Sequence, residues 1–248
     1  MITLNNKTIL ITGASAGIGR AVATACASSG ATVFLNARNK LELEKTGENC
    51  RGKSLIFAAD LTIENDIKQV AGEVPQLDGW VHCTGKVLPV PVKFIQEKHL
   101  SDIFSVNYYS AVKLASALLQ QKKLKENSSI VFISSVSVLH SYFGGAPYIS
   151  SKAALEAYAR TLALELAPKK IRVNVLQPAL VKTAIYQSTA DAAMNPEELA
   201  LHEKKYPLGL GQPEDVAKAS VFFLSDASQW ITGAALKMDG GLTLGFSG

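Results

Sequence analysis

Seven short runs rich in Val, Ile, Leu and Phe recur along the chain, separated by longer stretches with helical patterning. The runs cover residues 7–12, 32–35, 54–58, 79–83, 129–134, 172–176 and 234–238, and helical segments begin near Gly17, Lys40, Ile63, Glu97, Tyr148 and Pro213. A strand flanked by helices on both sides needs a crossover to reach its neighbour, so such strands pair in parallel under helices on both faces. The nearly continuous apolarity of the runs agrees, because both faces of each strand are then buried. The expectation is a single α/β domain over 1–248, a doubly wound seven-stranded parallel sheet covered on both faces. A chain of 248 residues with 48% hydrophobic content can bury the core this requires.

Charge excludes some functions. There are 25 basic and 21 acidic residues, mixed along the sequence, and a net +4 is too mild for a nucleic-acid binder. Basic residues bunch at Lys122-Lys123-Leu124-Lys125 and Lys169-Lys170-Ile171-Arg172, which read as solvated helix ends or as a landing surface for an acidic partner. Three widely spaced cysteines, Cys26, Cys50 and Cys83, give neither metal-ligand spacing nor a disulfide framework. The start of the chain has no secretory apolar region, and no run approaches the roughly 18 apolar residues of a membrane span. The expectation is a cytoplasmic protein with no membrane, nucleic-acid or metal partner.

The first run leads into Thr12-Gly13-Ala14-Ser15-Ala16-Gly17-Ile18-Gly19-Arg20. Glycines at this spacing let the backbone turn tightly and approach a pyrophosphate, while the next helix offers free N–H groups and its positive end. The second run ends in Asn36-Ala37-Arg38-Asn39, without the carboxylate that would hold a ribose 2′-hydroxyl. The forked guanidinium of Arg38 suits a 2′-phosphate, so NADP(H) is expected over NAD(H). Asp60, after the third run, can accept from an adenine amino group or cap the next helix.

A second constellation lies further along. Tyr148 and Lys152 are four residues apart on one helical face, and Ser135 ends an apolar run thirteen residues upstream of Tyr148. A phenol, a cation and a hydroxyl converging at strand ends make a proton-transfer site for a carbonyl or an alcohol. A free tyrosine has a pKa of about 10; work near neutrality needs a fall of about 2–3 pH units, roughly 3–4 kcal/mol. A nearby cation in a partly dry cleft can supply energy of that order.

With these pieces in place, the chain resembles the short-chain dehydrogenase/reductase family over nearly its whole length. The resemblance rests on Thr12-Gly13 with Gly17-Ile18-Gly19, Asp60, Asn107, Ser135, Tyr148 with Lys152, Asn174 with Pro178 and Thr183, and the closing Asp239-Gly240-Gly241. It implies a Rossmann-type fold and four catalytic residues. Tyr148 would be the acid in carbonyl reduction and the base in alcohol oxidation. Lys152 would bind the nicotinamide ribose and lower the phenol pKa, and Ser135 would hydrogen-bond the substrate oxygen. Asn107 would hold a water in a relay from Lys152 toward solvent. Val181 and Thr183 would fix the nicotinamide carboxamide. Gly13, Ser15, Ile18, Arg38, Asp60, Leu61, Cys83, Thr84 and Gly85 would line the rest of the cofactor cleft, around the turn made by Gly17 and Gly19.

Three positions depart from the family pattern. His82-Cys83-Thr84-Gly85 replaces the usual Asn-Asn-Ala-Gly, so His82 needs a new structural partner. Ala179 stands where glycine usually follows Pro178, so the backbone there must accept a Cβ. Ala16 takes a place where some NADP-binding members carry a base.

Residues 183–211 form a long excursion that reads as a substrate lid, with Asn195-Pro196-Glu197-Glu198 as a helix start. Leu88, Val90, Leu139, Tyr142, Phe143, Ile185, Tyr186, Met194 and Leu199 are expected to line an apolar pocket. The function expected is hydride transfer between NADP(H) and a ketone or secondary alcohol. The resemblance is closest to 3-oxoacyl-carrier-protein reductases, whose substrate rides on an acyl-carrier protein. An NAD-dependent alcohol, polyol or steroid-type dehydrogenase and a catalytically idle dinucleotide-binding scaffold are the alternatives. A homotetramer is implied by the resemblance, with helices near 99–121 and 148–167 pairing between subunits.

Overall fold

The computed structural model describes residues 2–50, 54–183 and 203–245. Strands β1 (Thr8–Thr12), β2 (Thr32–Ala37), β3 (Ser54–Ala58), β4 (Leu77–His82), β5 (Leu124–Ile133), β6 (Arg172–Pro178) and β7 (Ala235–Met238) form one sheet in the order β3-β2-β1-β4-β5-β6-β7. Every pairing is parallel. The described helices are α1 (Gly17–Ser28), α2 (Lys40–Asn49), α3 (Glu64–Glu73), α4 (Glu97–Phe104), α5 (Ser110–Gln120), α6 (Ala146–Leu166) and α7 (Pro213–Leu224).

Alternation along β1 sorts the core into two layers, since successive strand residues face opposite ways. Ile9 and Ile11 pack with Val22 and Cys26 of α1 and Val221 and Leu224 of α7. Leu10 points to the other face and joins Trp80 and Phe132 beneath Val70 of α3, Leu114 of α5 and Leu155 of α6. The order reverses between β1 and β4, which opens a crevice at their carboxyl ends.

Three differences from the sequence reading have physical causes. β5 starts at Leu124, before the apolar run, because Leu124 already pairs with Leu77 of β4, ahead of a register shift after which Gly79 pairs with Ser129. The helix expected over 99–121 is broken by a π-turn at Ser105–Tyr109, which carries the fully buried Asn107. Such turns recur at functional sites because they re-aim a side chain without ending the helix. Helix α6 begins at Ala146, with Pro147 in its first turn.

The departure at His82 is resolved inside the core. The ring is fully buried, with Nδ1 2.8 Å from Thr12 Oγ1 and Nε2 3.3 Å from Ser110 Oγ. The Ser110 hydroxyl donates to the Val106 carbonyl at 2.6 Å, so its oxygen accepts from Nε2–H and Nδ1 accepts from Thr12. A neutral imidazole thus joins the end of β1 to the helix that carries Asn107. Burial, aided by the charge on Lys152, pulls its pKa down to about 3. The unfolded chain takes up a proton below about pH 6.5 that the folded one refuses, so His82 lowers stability by up to about 1.4 kcal/mol per pH unit as acid is added. Urea unfolding at pH 7 and pH 5 is expected to show a smaller acid loss for His82→Asn than for the native chain. Equal losses would contradict the neutral bridge.

The two basic clusters meet at the amino end of the sheet, around a cavity of about 320 Å³ lined by Lys122, Lys125 and Lys169. Much of their charge is engaged within the protein. Lys123 Nζ donates to the carbonyls of Gly72 (2.9 Å) and Val74 (2.6 Å) at the end of α3, and Lys125 pairs with Asp78 at 2.8 Å. Arg172 is buried, and its guanidinium donates to Phe223 O at 2.8 Å and Ser225 O at 3.2 Å, satisfying the carboxyl end of α7. Lys122, Lys169 and Lys170 remain exposed, so the basic surface that the sequence suggested is reduced to these three. Among the described residues no helix is long and apolar enough to cross a membrane, and no group of three or more His, Cys, Asp or Glu side chains is placed to hold a metal.

Candidate active site

The crevice is built first from backbone. Gly13 has φ +73°, and a Cβ there would lie 2.8 Å from the Cys83 carbonyl carbon and the Thr84 nitrogen. The loop after β1 thus lies directly against the loop after β4, where Cys83 N also donates to Thr12 O at 3.0 Å. A Cβ on Gly19 would meet Gly13 O at 2.1 Å, and one on Gly17 (φ +50°) would meet Thr183 Cγ2 at 3.2 Å. Only a chain without side chains at these points can close this turn. Ala16 gives helix α1 no side-chain cap, and its first turn carries no acid, so the N-terminal N–H groups remain available to an anion. The residues present therefore fit a dinucleotide.

Around the adenosine end the sequence reading is refined. Asn36 is buried and donates to Phe57 O (3.0 Å) and Ala59 O (3.2 Å), locking β2 to β3. Arg38 is three-quarters exposed, with Nη1 3.8 Å from Asp60 Oδ2. Asp60 Oδ1 accepts from the Thr62 nitrogen (2.9 Å) and hydroxyl (2.8 Å), closing the turn before α3, whose N-cap position belongs to Ile63. Leu61 is buried in the core beneath this turn. Sequence reasoning missed Arg20. Its guanidinium donates to the Ser15 carbonyl, to Glu42 Oε2 at 2.6 Å and to Thr46 Oγ1 at 3.1 Å, so it braces the glycine loop against α2. Hydrogen bonds from Lys45 and Arg20 hold the Glu42 carboxyl below its usual range. The signal lay in Arg20 directly following Gly19, where a base on α1 can reach back over the loop.

At the other end, Tyr148 lies by Ser135, and Lys152 lies between the Tyr148 ring and Gly85. Ser135 Oγ accepts from the Ser137 hydroxyl at 2.9 Å and the Ser137 nitrogen at 3.2 Å, and its nearness to the Tyr148 phenol favours the ionised form of the latter. Ser137 is thus a second hydroxyl that the sequence reading passed over. Lys152 is buried, and a Cβ on Gly85 would lie 3.3 Å from its Nζ. Nζ donates to Ile133 O at 2.7 Å and lies 5.9 Å from the centre of the Tyr148 ring.

Here the electrostatics differ from the sequence expectation. Burial pushes the Tyr148 phenol up to about 12, the nearby Ser135 hydroxyl acting against it, and burial draws the Lys152 ammonium down to about 8. The cation is directed at the end of β5, so in this arrangement desolvation of the phenol outweighs any acidifying pull from Lys152.

Asn107 is a brace on both sides of its amide. Oδ1 accepts from Lys86 N at 2.8 Å, and Nδ2 donates to Lys86 O at 3.0 Å and to Ser151 Oγ at 3.0 Å. Its side chain is fully engaged by protein, on the loop after β4 through Lys86 and on α6 through Ser151. Val181 is buried and bridges Gly211 in parallel fashion, with Thr183 opposite Gly17. Ala179 does not adopt positive φ, so its Cβ is accommodated, and its nitrogen donates to Met238 O at 2.9 Å. A cavity of about 600 Å³ lies at the amino end of α6, lined by Val92, Lys93, Tyr142, Phe143 and Ile149. Of the expected pocket lining, Ile185, Tyr186, Met194 and Leu199 lie outside the described residues, as do residues 195–198 and most of the excursion.

A doubly wound sheet with a dinucleotide cradle at its switch point and a hydroxyl–phenol–ammonium cluster beside it defines a nicotinamide-using oxidoreductase. The chain belongs to the short-chain dehydrogenase/reductase family. A family model described as enoyl-(acyl carrier protein) reductase matches residues 13–243. The chain is 32% identical to the 3-oxoacyl-[acyl-carrier-protein] reductase of Thermotoga maritima, over 97% of this chain and 99% of that one. It is 30% identical to a cyclopentanol dehydrogenase of Comamonas testosteroni, over 97% and 98%. A short-chain type dehydrogenase/reductase from Mycobacterium marinum superposes with TM-score 0.87 at 31% identity, covering 98% of this chain and 97% of that one.

Proposed function

We propose that the protein reduces a medium-sized apolar ketone, free or as a 3-oxoacyl group, to the secondary alcohol with NADPH. The observation that carries this reading is the meeting of Ser135 with Tyr148 and of Tyr148 with Lys152, whose Nζ lies against Gly85 on the loop that packs on Gly13. In it, the α1 N-terminus holds the pyrophosphate, Gly13, Ser15, Ile18, Thr84 and Gly85 line the cleft, and Val181 and Thr183 hold the carboxamide. The coenzyme supplies the hydride. Lys152 leaves the Ile133 carbonyl for the ribose hydroxyls, which brings its charge to the phenol side. Ser135 donates to the substrate oxygen as charge grows there. Tyr148 then delivers the proton, and Asn107 keeps the loop carrying Lys86 against α6 while the proton is replaced through water.

Arg38 supports NADP(H), because it is exposed and only loosely paired, and no carboxylate ends β2. Arg38→Ala is expected to weaken NADPH binding about 10-fold while leaving NADH binding within about 2-fold, as loss of a charge-assisted bond to phosphate predicts. Fluorescence titration with both coenzymes checks this; equal losses would defeat the phosphate contact.

The basic clusters lend little support to a carrier-borne substrate. They lie at the start of β5, whose ten residues put about 30 Å between Leu124 and the Ile133 end beside Lys152. A carrier seated there would face away from the cleft. A homotetramer remains part of the proposal, and Ala157 and Leu164 on the outer face of α6 are exposed and available for it. The functional test is NADPH consumption with cyclic ketones, linear ketones and 3-oxoesters. Turnover of at least one class is expected, and inertness toward all of them would contradict the reading.

A further inference from the structure

We propose that Glu156 is a positioning residue of the proton-transfer site. Its buried carboxylate ties α6 to the ends of β5 and β6, and it places a negative charge one helical turn from the Lys152 ammonium. This rests on the roles given above to Ser135, Tyr148 and Lys152.

Carboxylates are seldom buried without a partner. Glu156 is 6% exposed, and no ion pair reaches it among the described residues. Instead Oε1 accepts two neutral donors, Ser134 Oγ at 2.7 Å and Gln177 Nε2 at 2.8 Å. Both donors sit at positions that matter. Ser134 immediately precedes Ser135, and its nitrogen donates to Leu176 O at 2.8 Å. Gln177 lies two residues before Ala179, on the segment leading to Val181. One carboxylate oxygen therefore sets the proton-site serine and the strand end before Val181 relative to the helix that carries Tyr148 and Lys152.

The charge has a second consequence. Two cations on α6 lie one turn either side of it, the buried Lys152 and the exposed, water-screened Arg160. His82 of β4 is neutral, burial holds the Cys83 thiol protonated with its pKa up to about 12, and β5 and β6 contribute only Ser134 and Gln177. Burial draws Lys152 downward, and with the Cys83 thiol neutral the charge of Glu156 is what acts against that pull. A lysine that must stay charged in a dry site needs such a counter-charge, and a carboxylate four residues away on the same helix face provides it without occupying the ammonium's hydrogen bonds.

The test separates tether from charge. Lys152 is followed by ¹³Cε-lysine NMR titration in the native protein, in Glu156→Gln and in Ser134→Ala, and kcat and KM for an accepted ketone are measured across the same pH range. Glu156→Gln keeps an accepting oxygen and removes the charge. The Lys152 titration is expected to move to lower pH by about 0.5–1 unit, and the alkaline limb of kcat with it. Ser134→Ala keeps the charge and removes one tether; its titration should stay in place while kcat falls about 10-fold with KM for NADPH unchanged. An unmoved Lys152 titration in Glu156→Gln would overturn the charge role, and an unchanged kcat in Ser134→Ala would overturn the tether. Should Glu156→Gln fail to fold, Ser134→Ala still decides the tether. The NMR titration reads Glu156 without turnover, so an inactive native protein would fault the proposed reaction and not this inference.

Discussion

Tyr148→Phe is expected to lower kcat/KM for ketone reduction by about 10³-fold while NADPH binds within about 2-fold of native affinity. The substitution removes one oxygen from a ring that is otherwise held by its neighbours. The Ser135 hydroxyl remains, and so does the Lys152 bond to Ile133 O, because neither depends on the phenol for its position. What is lost is the proton donor. Steady-state kinetics with fluorescence titration of NADPH separates these quantities. A loss confined to KM would mean that Tyr148 serves only to bind the substrate.

Gly19→Ala is expected to weaken coenzyme binding by about 100-fold, near 3 kcal/mol at the upper end of overpacking costs. The added Cβ would lie 2.1 Å from Gly13 O, 2.7 Å from Gly13 C and 3.2 Å from Ala14 Cα, all backbone atoms of the loop itself. No side-chain rotation relieves such a contact, so the turn must open and its N–H groups lose their common focus. Gly72→Ala is the matched control. Its new methyl would meet nothing nearer than Gln121 Oε1 at 3.9 Å, and α3 should gain a few tenths of a kcal/mol or more from alanine. Comparable NADPH affinity in native protein and Gly19→Ala would remove the glycine loop from the account of binding.

The sheet was legible because each strand is a buried apolar run of near-standard length, and a run that must be covered on both faces admits few arrangements. The glycine loop was legible for a related reason: Gly13, Gly17 and Gly19 each sit where a Cβ would strike backbone or Thr183. Other features were hidden. Nothing in Ser105-Val106-Asn107 marks a π-turn, since its residues suit an ordinary helix and tertiary packing decides the extra residue per turn. The fate of the basic clusters was hidden too, because Arg172 and Lys123 are drawn inward by carbonyls of α7 and α3 that are remote in sequence. His82 could be recognised as a substitution for an amide but not as a neutral imidazole between Thr12 and Ser110, because the second partner lies on α5. The spacing of Tyr148 and Lys152 gave their shared helix face and not the direction of the ammonium, which one rotamer chain turns toward Ile133 O.

That direction bears on the central claim, which is that the Tyr148 phenol supplies the proton once positive charge is brought to its side. The direct measurement is titration of Tyr148 by ¹³Cζ-tyrosine NMR, assigned with Tyr148→Phe, in the free protein and with NADP⁺ bound. The free phenol should titrate near 12, as burial dictates. Bound coenzyme should lower it by about 2 pH units or more, as a cation within reach of a buried phenolate requires. A phenol that titrates at the same pH in both states would contradict the account.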